Sequence, residues 1–216
     1  MASFDIRVRT GGSLHPDGEP TEFVSEYTAV ITCTDDETGA VSKVGRVTAL
    51  RVHAGLAHNA GESLFDVCDA YSDELHRLHA LLYEPDRYHF REELMARFEA
   101  AEPDLLVLDY VLLAPKWRGL RLGLLAVRRL LDLVGGGCGL AASLIAPLRH
   151  EAASALRVPA SWLPKHQDPA AEKAARVRLR GYFRRMGFRR LGPTPYYVLP
   201  FNLVTPSAEE LLKPGG

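Results

Sequence analysis

The alternation of apolar and polar positions divides the chain into strands and helices. Residues 4–9 (FDIRVR) alternate with period two, as a half-buried strand does. TGGSLHPDGEPTE follows, dense in Gly, Pro and Asp, and reads as a loop. FVSEYTAVITCT and VSKVGRVTALRVH are rich in β-branched residues and flank the turn signal DDETGA, which predicts a hairpin. AGLAHNAGES reads as a loop that supplies a helix N-cap at Glu62 or Ser63. In LFDVCDAYSDELHRLHALLY, the residues Leu64, Val67, Cys68, Tyr71, Leu75, Leu78 and Leu82 recur at helical spacing; REELMARFEA gives a second, shorter helix.

The second half reads differently. DLLVLDYVLLAP is almost continuously apolar, as befits a strand buried on both faces, and Pro115 ends it. A helix is expected from Leu120 to Val134, stopped by GGGCG. LAASLIAP is a second buried strand. Residues 148–170 form a long connection carrying Pro159, Pro164 and Pro169, a length that is uncommon unless the segment is functional or partly helical. AAEKAARVRLRGYFRRM is helical up to Gly187, and FRRLG and YYVLPFNLV end the pattern as strands. Neither a repeat nor a composition break cuts the chain, so one α/β domain over residues 1–216 is expected.

Composition narrows the class. The 216 residues are 47% hydrophobic and 25% charged, which is ordinary for a folded domain of this size. A formal net charge of −1 gives no general pull toward nucleic acid. Three cysteines (Cys33, Cys68 and Cys138) form no CxxC pair, which argues for a reducing, cytoplasmic setting and against a zinc knuckle or a disulfide framework. MASFDIRVRTGG lacks the apolar core of a secretory signal, and no apolar run is long enough to span a bilayer. The histidines lack metal-ligand spacing: His76 and His79 stand three apart on one helix and are expected to face solvent. Charge is unevenly spread, with residues 60–110 acidic and 173–190 basic. Two readings stay open, solvated helix faces or walls beside oppositely charged ligands. In the basic stretch Val177, Leu179, Tyr182, Phe183 and Met186 alternate with the arginines, so it packs against the sheet and nucleic acid is not the expected partner.

KWRGLRLGLL, residues 116–125, joins the buried strand to the next helix. A helix N-terminus exposes unpaired N–H groups and partial positive charge, which stabilise an anion placed there. Gly119 and Gly123 let a ligand approach the backbone, and Arg118 and Arg121 add charge. The chain has no GxxxxGK[ST] and no GxGxxG after a strand, so neither a Walker loop nor a dinucleotide fingerprint is present.

LLAPKWRGLRLGLLAVRRLLD resembles the acyl-CoA-binding segment of the GNAT superfamily of N-acetyltransferases: a strand ending near Pro, then Arg/Gln-x-x-Gly-x-Gly/Ala, then a helix. Arg118 matches its first position and Gly123 its last, and Arg121 stands where the middle glycine is usual. LRGYFRRMGFRRLG is similar to the family's late helix and Gly-Phe stretch, with Gly187 and Phe188 matching. The resemblance covers residues 104–204. In the family two helices follow the first strand; here the helical stretch comes after the hairpin, so residues 1–103 form a variable half.

The resemblance implies a GNAT-like acyl-CoA N-acyltransferase fold, a mixed sheet flanked by helices, with strands 105–114 and 139–147 splayed apart to admit acyl-CoA. It implies transfer of an acetyl group from acetyl-CoA to an amine of a small molecule or protein, with no metal. Leu112, Leu113, Ala114, Arg118, Gly119, Leu120, Arg121, Leu122, Gly123, Leu124 and Phe183 would hold the cofactor. Asp109 in its apolar run has two readings. It is a general base for the amine, a task Glu26 could also take, or a structural aspartate hydrogen-bonded at a sheet bulge. The family's general-acid tyrosine position holds Phe183, which has no proton to give, and its neighbour Tyr182 is the candidate in its place. Tyr196 and Tyr197 are candidates for the acceptor pocket or the core. Phe183 and Arg121 also motivate an alternative, a catalytically inactive acyl-CoA-binding or protein-interaction module. Monomer and homodimer both stay open.

Overall fold

The computed structural model describes residues 2–12, 19–148, 150–154, 156–163 and 168–213. Residues 13–18 of the loop expected around residues 10–22, and Pro164 in the long connection, lie outside the described residues.

The fold is mixed α/β. Seven strands are described: β1 (Ala2–Arg9), β2 (Val24–Asp35), β3 (Val41–Val52), β4 (Asp104–Leu113), β5 (Cys138–Leu144), β6 (Arg189–Arg190) and β7 (Tyr196–Pro200). They form one mixed sheet in the order β1-β2-β3-β4-β5-β7-β6. Only β4 and β5 run parallel. The crossover between them is α5 (Leu122–Val134), as a parallel pair requires.

Helices cover both faces. Between β3 and β4 come α1 (Ala54–Ala60), α2 (Leu64–Tyr71), α3 (Asp73–Leu82) and α4 (Glu92–Phe98). Val67, Leu75, Leu78 and Phe98 of this group bury against Leu105, Val107, Leu140 and Val198. On the other face, α5, α6 (Pro169–Arg185) and α7 (Ala208–Leu212) pack Leu124, Leu130, Phe183 and Leu211 onto Val47, Leu106, Leu108 and Leu199.

Local signals explain where the expected elements shift. The segment at 54–63 is not wholly loop: α1 fills its first part and stops at Gly61, whose φ of +79° suits a residue without Cβ. Ser63 is the N-cap of α2. The single helix expected over 64–83 is two, broken at Ser72, an extended residue (φ −169°, ψ 153°). Its hydroxyl accepts from Leu75 N–H at 3.3 Å and starts α3. Helix α5 starts at Leu122, not Leu120, and the last strand stops at Pro200. Beyond it, Ser207 and Glu210 form a reciprocal capping box that starts α7. His79 is buried rather than solvent-facing, stacked on Tyr83 with 5.6 Å between centroids. The three cysteines are unpaired and buried.

Two irregularities in β4 set up the site. Its pairing with β3 passes from Leu108↔Ala49 to Tyr110↔Thr48, which leaves Asp109 as the extra residue of a bulge. The bulge inverts the strand's alternation. Leu105 and Val107 face α1–α4, but Val111 and Leu113 face α5. Asp109 therefore does not share a face with all four, as simple alternation requires. The second irregularity is a short seam. The β4·β5 ladder runs only from Asp104↔Cys138 to Val107↔Ala142. Past it, Val111–Leu113 pair with β3 alone, while Ser143 and Leu144 pair with β7.

An ion pair stands at the closed end of the seam. Arg51 donates from Nε and Nη2 to Asp104 Oδ2 at 3.1 and 2.8 Å, and from Nη1 to the Gly136 carbonyl at 2.9 Å. Gly55 N–H donates to the other carboxylate oxygen at 3.2 Å.

Candidate active site

Where β4 and β5 part, the sheet holds a cleft of about 520 Å³. Its lining comes from both faces. Gly119, Gly123, Leu179 and Phe183 border it on the α5–α6 face, and Asp109, Tyr110, Leu112 and Leu163 on the other. The cleft thus passes through the sheet rather than lying on it.

The floor is polar backbone. Ala114 N–H donates to Val44 O at 2.9 Å, so Ala114 faces β3. Strand alternation then turns the N–H groups of Val111 and Leu113 into the gap, where no strand pairs with them. The start of α5 adds more donors. The N–H groups of residues 119–123 have no acceptor among the described residues. They form the open end of a 13-residue helix. Arg121 holds the turn before it in the left-handed region, at φ +60°, a conformation that costs a residue with Cβ about 1 kcal/mol.

Arg118 and Arg121 both line the cleft, and their guanidiniums are held by backbone carbonyls, which orient them and leave their charge intact. Arg118 donates from Nε to Leu113 O at 3.0 Å and from Nη2 to the Trp162 carbonyl. Arg121 donates to the carbonyls of Leu211, Leu212 and Lys213, and Arg185 bonds Leu211 and Lys213 as well. Both guanidiniums are drawn to negative carbonyl ends, and the second pair caps the C-terminus of α7. A third cation, which sequence reasoning did not single out as a site residue, joins them. Arg178 lines the cleft from α6 and has no ion pair among the described residues. Its place in the basic stretch of α6 was the only signal.

Of the other expected cofactor residues, Leu112, Leu113, Gly119, Gly123 and Phe183 line the cleft. Leu122 and Leu124 point into the core, Leu120 is 53% exposed, and Ala114 lies outside the lining. Only the backbone of Leu120 and Leu122 can serve. Ser143, 2% exposed, lines the cleft from β5.

Tyr182 reaches the cleft beside Phe183, and its hydroxyl rests on Gly123, closer than a side chain there could allow. Burial raises the phenol well above its ordinary pKa, so it keeps its proton at neutral pH. Asp109 lies at the α2–α3 end. Thr48 donates its hydroxyl to Asp109 Oδ2 at 2.9 Å, and no cation pairs with the carboxylate among the described residues. Burial and the charge of Glu26 push its pKa up, against the Thr48 bond. The structural reading of Asp109 matches this geometry, since the residue sits at a bulge and is hydrogen-bonded; it also lines the cleft.

No family model matches the sequence, and no curated protein or solved structure matches it either. Among the described residues no His, Cys, Asp and Glu cluster could hold a metal ion, and no helix is long and apolar enough to cross a membrane.

Proposed function

We propose that the protein is an acyl-CoA-dependent N-acyltransferase of the GNAT type, with acetyl-CoA the default donor and an amine the acceptor. The observation that carries this reading is the cleft through the sheet, with unpaired helix amides at one end and an unpaired carboxylate at the other. The amides of residues 119–123 would take the pyrophosphate, with Arg178 beside it. The N–H groups of Val111 and Leu113 would hold the pantetheine amides and polarise the thioester carbonyl as its oxygen gains charge. Asp109, its pKa raised by burial, accepts a proton from the acceptor ammonium. The neutral amine attacks, C–N forms and C–S breaks. The new amide nitrogen sheds its second proton to solvent, and the leaving thiolate takes one from Tyr182, which solvent then restores.

Calorimetric titration of acetyl-CoA tests the reading. Leu120→Glu is the variant of choice, because Leu120 is exposed and a carboxylate there opposes a phosphate without touching the core. Binding by the wild-type protein, weakened at least about tenfold in Leu120→Glu, is the expected result. No binding by the folded wild-type protein would overturn it. Asp109→Asn is expected to lower kcat/KM about a hundredfold or more and to remove the acid limb of its pH profile, an ionisation that burial shifts upward from the ordinary carboxylate value. Binding without thiol release from any amine would instead place the protein in the class of non-catalytic acyl-CoA-binding modules.

A further inference from the structure

We infer that the free edge of β1 binds a second copy of this chain: two β1 strands pair antiparallel about a two-fold axis at Ile6, which joins the two sheets into one. The inference is independent of the acyl-transfer reading.

The strand β1 is one edge of the sheet. It pairs with β2 over eight consecutive residues, from Ala2↔Asp35 to Arg9↔Thr28, with no break in register. Its other side meets no strand among the described residues. Exposed edges are commonly blunted by shortness, positive charge, proline or a bulge. The opposite edge follows that rule, since β6 is two exposed arginines, Arg189 and Arg190. The strand β1 is long and carries neither proline nor bulge.

The backbone groups that face outward follow from β2. Asp35 N–H donates to Ala40 O at 3.0 Å, and Asp35 O accepts from Gly39 N–H at 2.8 Å. At the other end, Phe23 O accepts from His53 N–H at 2.8 Å. Odd-numbered residues of β2 therefore turn their backbone groups to β3, and even-numbered ones turn theirs to β1. Through the register, Ser3, Asp5, Arg7 and Arg9 bond β2. Phe4, Ile6 and Val8 hold their N–H and C=O groups toward the open side. A second β1 can pair only where outward groups meet outward groups.

Charge selects among the registers that meet this condition. Centred on Asp5, a symmetric pair sets Asp5 opposite Asp5; centred on Arg7, it sets Arg7 opposite Arg7. Centred on Ile6, it sets Asp5 of each copy opposite Arg7 of the other, with Phe4 opposite Val8 and Ile6 opposite Ile6. Opposite charges attract across such a pair and like charges repel. Asp5 and Arg7 are both exposed and make no ion pair among the described residues. The apolar side gains as well. Phe4 is 38% exposed, its ring edge-on to Trp117 at 5.3 Å, and Ile6 and Val8 are only partly covered. Val8 of the other copy would extend this strip. Both β2 and β3 separate β1 from β4, so the two clefts stay open.

Sedimentation equilibrium and amide hydrogen exchange test the inference. The wild-type chain of 23.8 kDa is expected to double in mass, with a Kd of about 10 μM or tighter. Asp5→Arg and Arg7→Asp, at exposed positions where circular dichroism should show an unchanged fold, should each weaken association at least about tenfold. An equimolar mixture of the two variants should restore it, because each offers the charge that the other lacks. The N–H groups of Phe4, Ile6 and Val8 should exchange at least about tenfold more slowly in the dimer than in the Asp5→Arg monomer, while those of Asp5 and Arg7 stay slow in both. A wild-type monomer at about 100 μM overturns the inference. So does a dimer that both substitutions leave intact, or one that mixing the variants fails to restore.

Discussion

Replacing Gly139 by alanine is expected to lower the unfolding free energy by about 3 kcal/mol or more. Gly139 lies in β5 beside the seam with β4. A Cβ there would collide with the backbone carbonyl of Glu102 and sit 3.0 Å from Phe90 Cε2. The carbonyl belongs to the chain just ahead of β4, so it cannot swing aside as a flexible side-chain tip would. Phe90 is fully packed among α1–α4. Relief therefore requires β5 to move away from the start of β4, where the two strands still pair. Chemical denaturation monitored by circular dichroism measures the loss. A loss below about 1 kcal/mol would show that the seam yields easily. Gly136→Ala, where a Cβ meets nothing within 4 Å, is the matched control.

The second large effect concerns Arg51. Its side chain and that of Asp104 are 18% and 11% exposed, so removing the guanidinium leaves a mostly buried carboxylate without its cation. Arg51→Met is expected to cost about 2–3 kcal/mol at neutral pH, somewhat below a fully buried pair because water still reaches both groups. The sign of the pH dependence follows from Asp104. Burial alone would raise its pKa, but bonds from His53, Arg51 and the Gly55 N–H outweigh burial and lower it. A lowered carboxylate pKa gives stability that is present above the unfolded value of about 3.9 and is lost as pH falls through the folded value. Wild-type stability should therefore drop through the acid range, and Arg51→Met should show a shallower drop. Urea midpoints at neutral pH and near pH 3 test this. Parallel curves for the two proteins would mean that Arg51 is not what holds the Asp104 pKa down.

The parts of the fold that depend on local pattern are legible in the sequence. The hairpin, the doubly buried β4 and the amphipathic α5 all follow from periodicity and turn residues. Other local signals were present but masked by stronger ones. Ser72-Asp73-Glu74 has the composition of a helix start, yet the apolar spacing continues through it in phase, so one helix is the simpler reading. Ser207 to Glu210 is a capping box hidden behind an apolar strand pattern. The bulge at Asp109 has one local sign, a carboxylate inside an apolar run, but the register that makes it shows only against β3, about 60 residues earlier in sequence. The arginine partners are non-local too. Arg118 bonds the carbonyl of Trp162 and Arg121 those of the α7 end, contacts that no spacing rule contains. The sequence motif drew attention to residues 118–123 through their charge; the structure adds backbone amides without acceptors among the described residues, which no spacing rule contains.

The short seam between β4 and β5 makes the sheet behave like a book. One leaf holds β1–β4 and the other β5, β7 and β6, with four residue pairs as the spine. The pages open toward Leu113 and Ile145, and the N–H groups along one inner margin face blank space. A guest with amide groups, lying between the pages, would act as a bookmark that binds to both leaves. It would restore hydrogen bonds that the strands forgo by parting, so binding and sheet integrity draw on the same donors. Such a guest should raise the unfolding temperature beyond the contribution of its charged end alone, because it joins two halves that otherwise meet only at the spine.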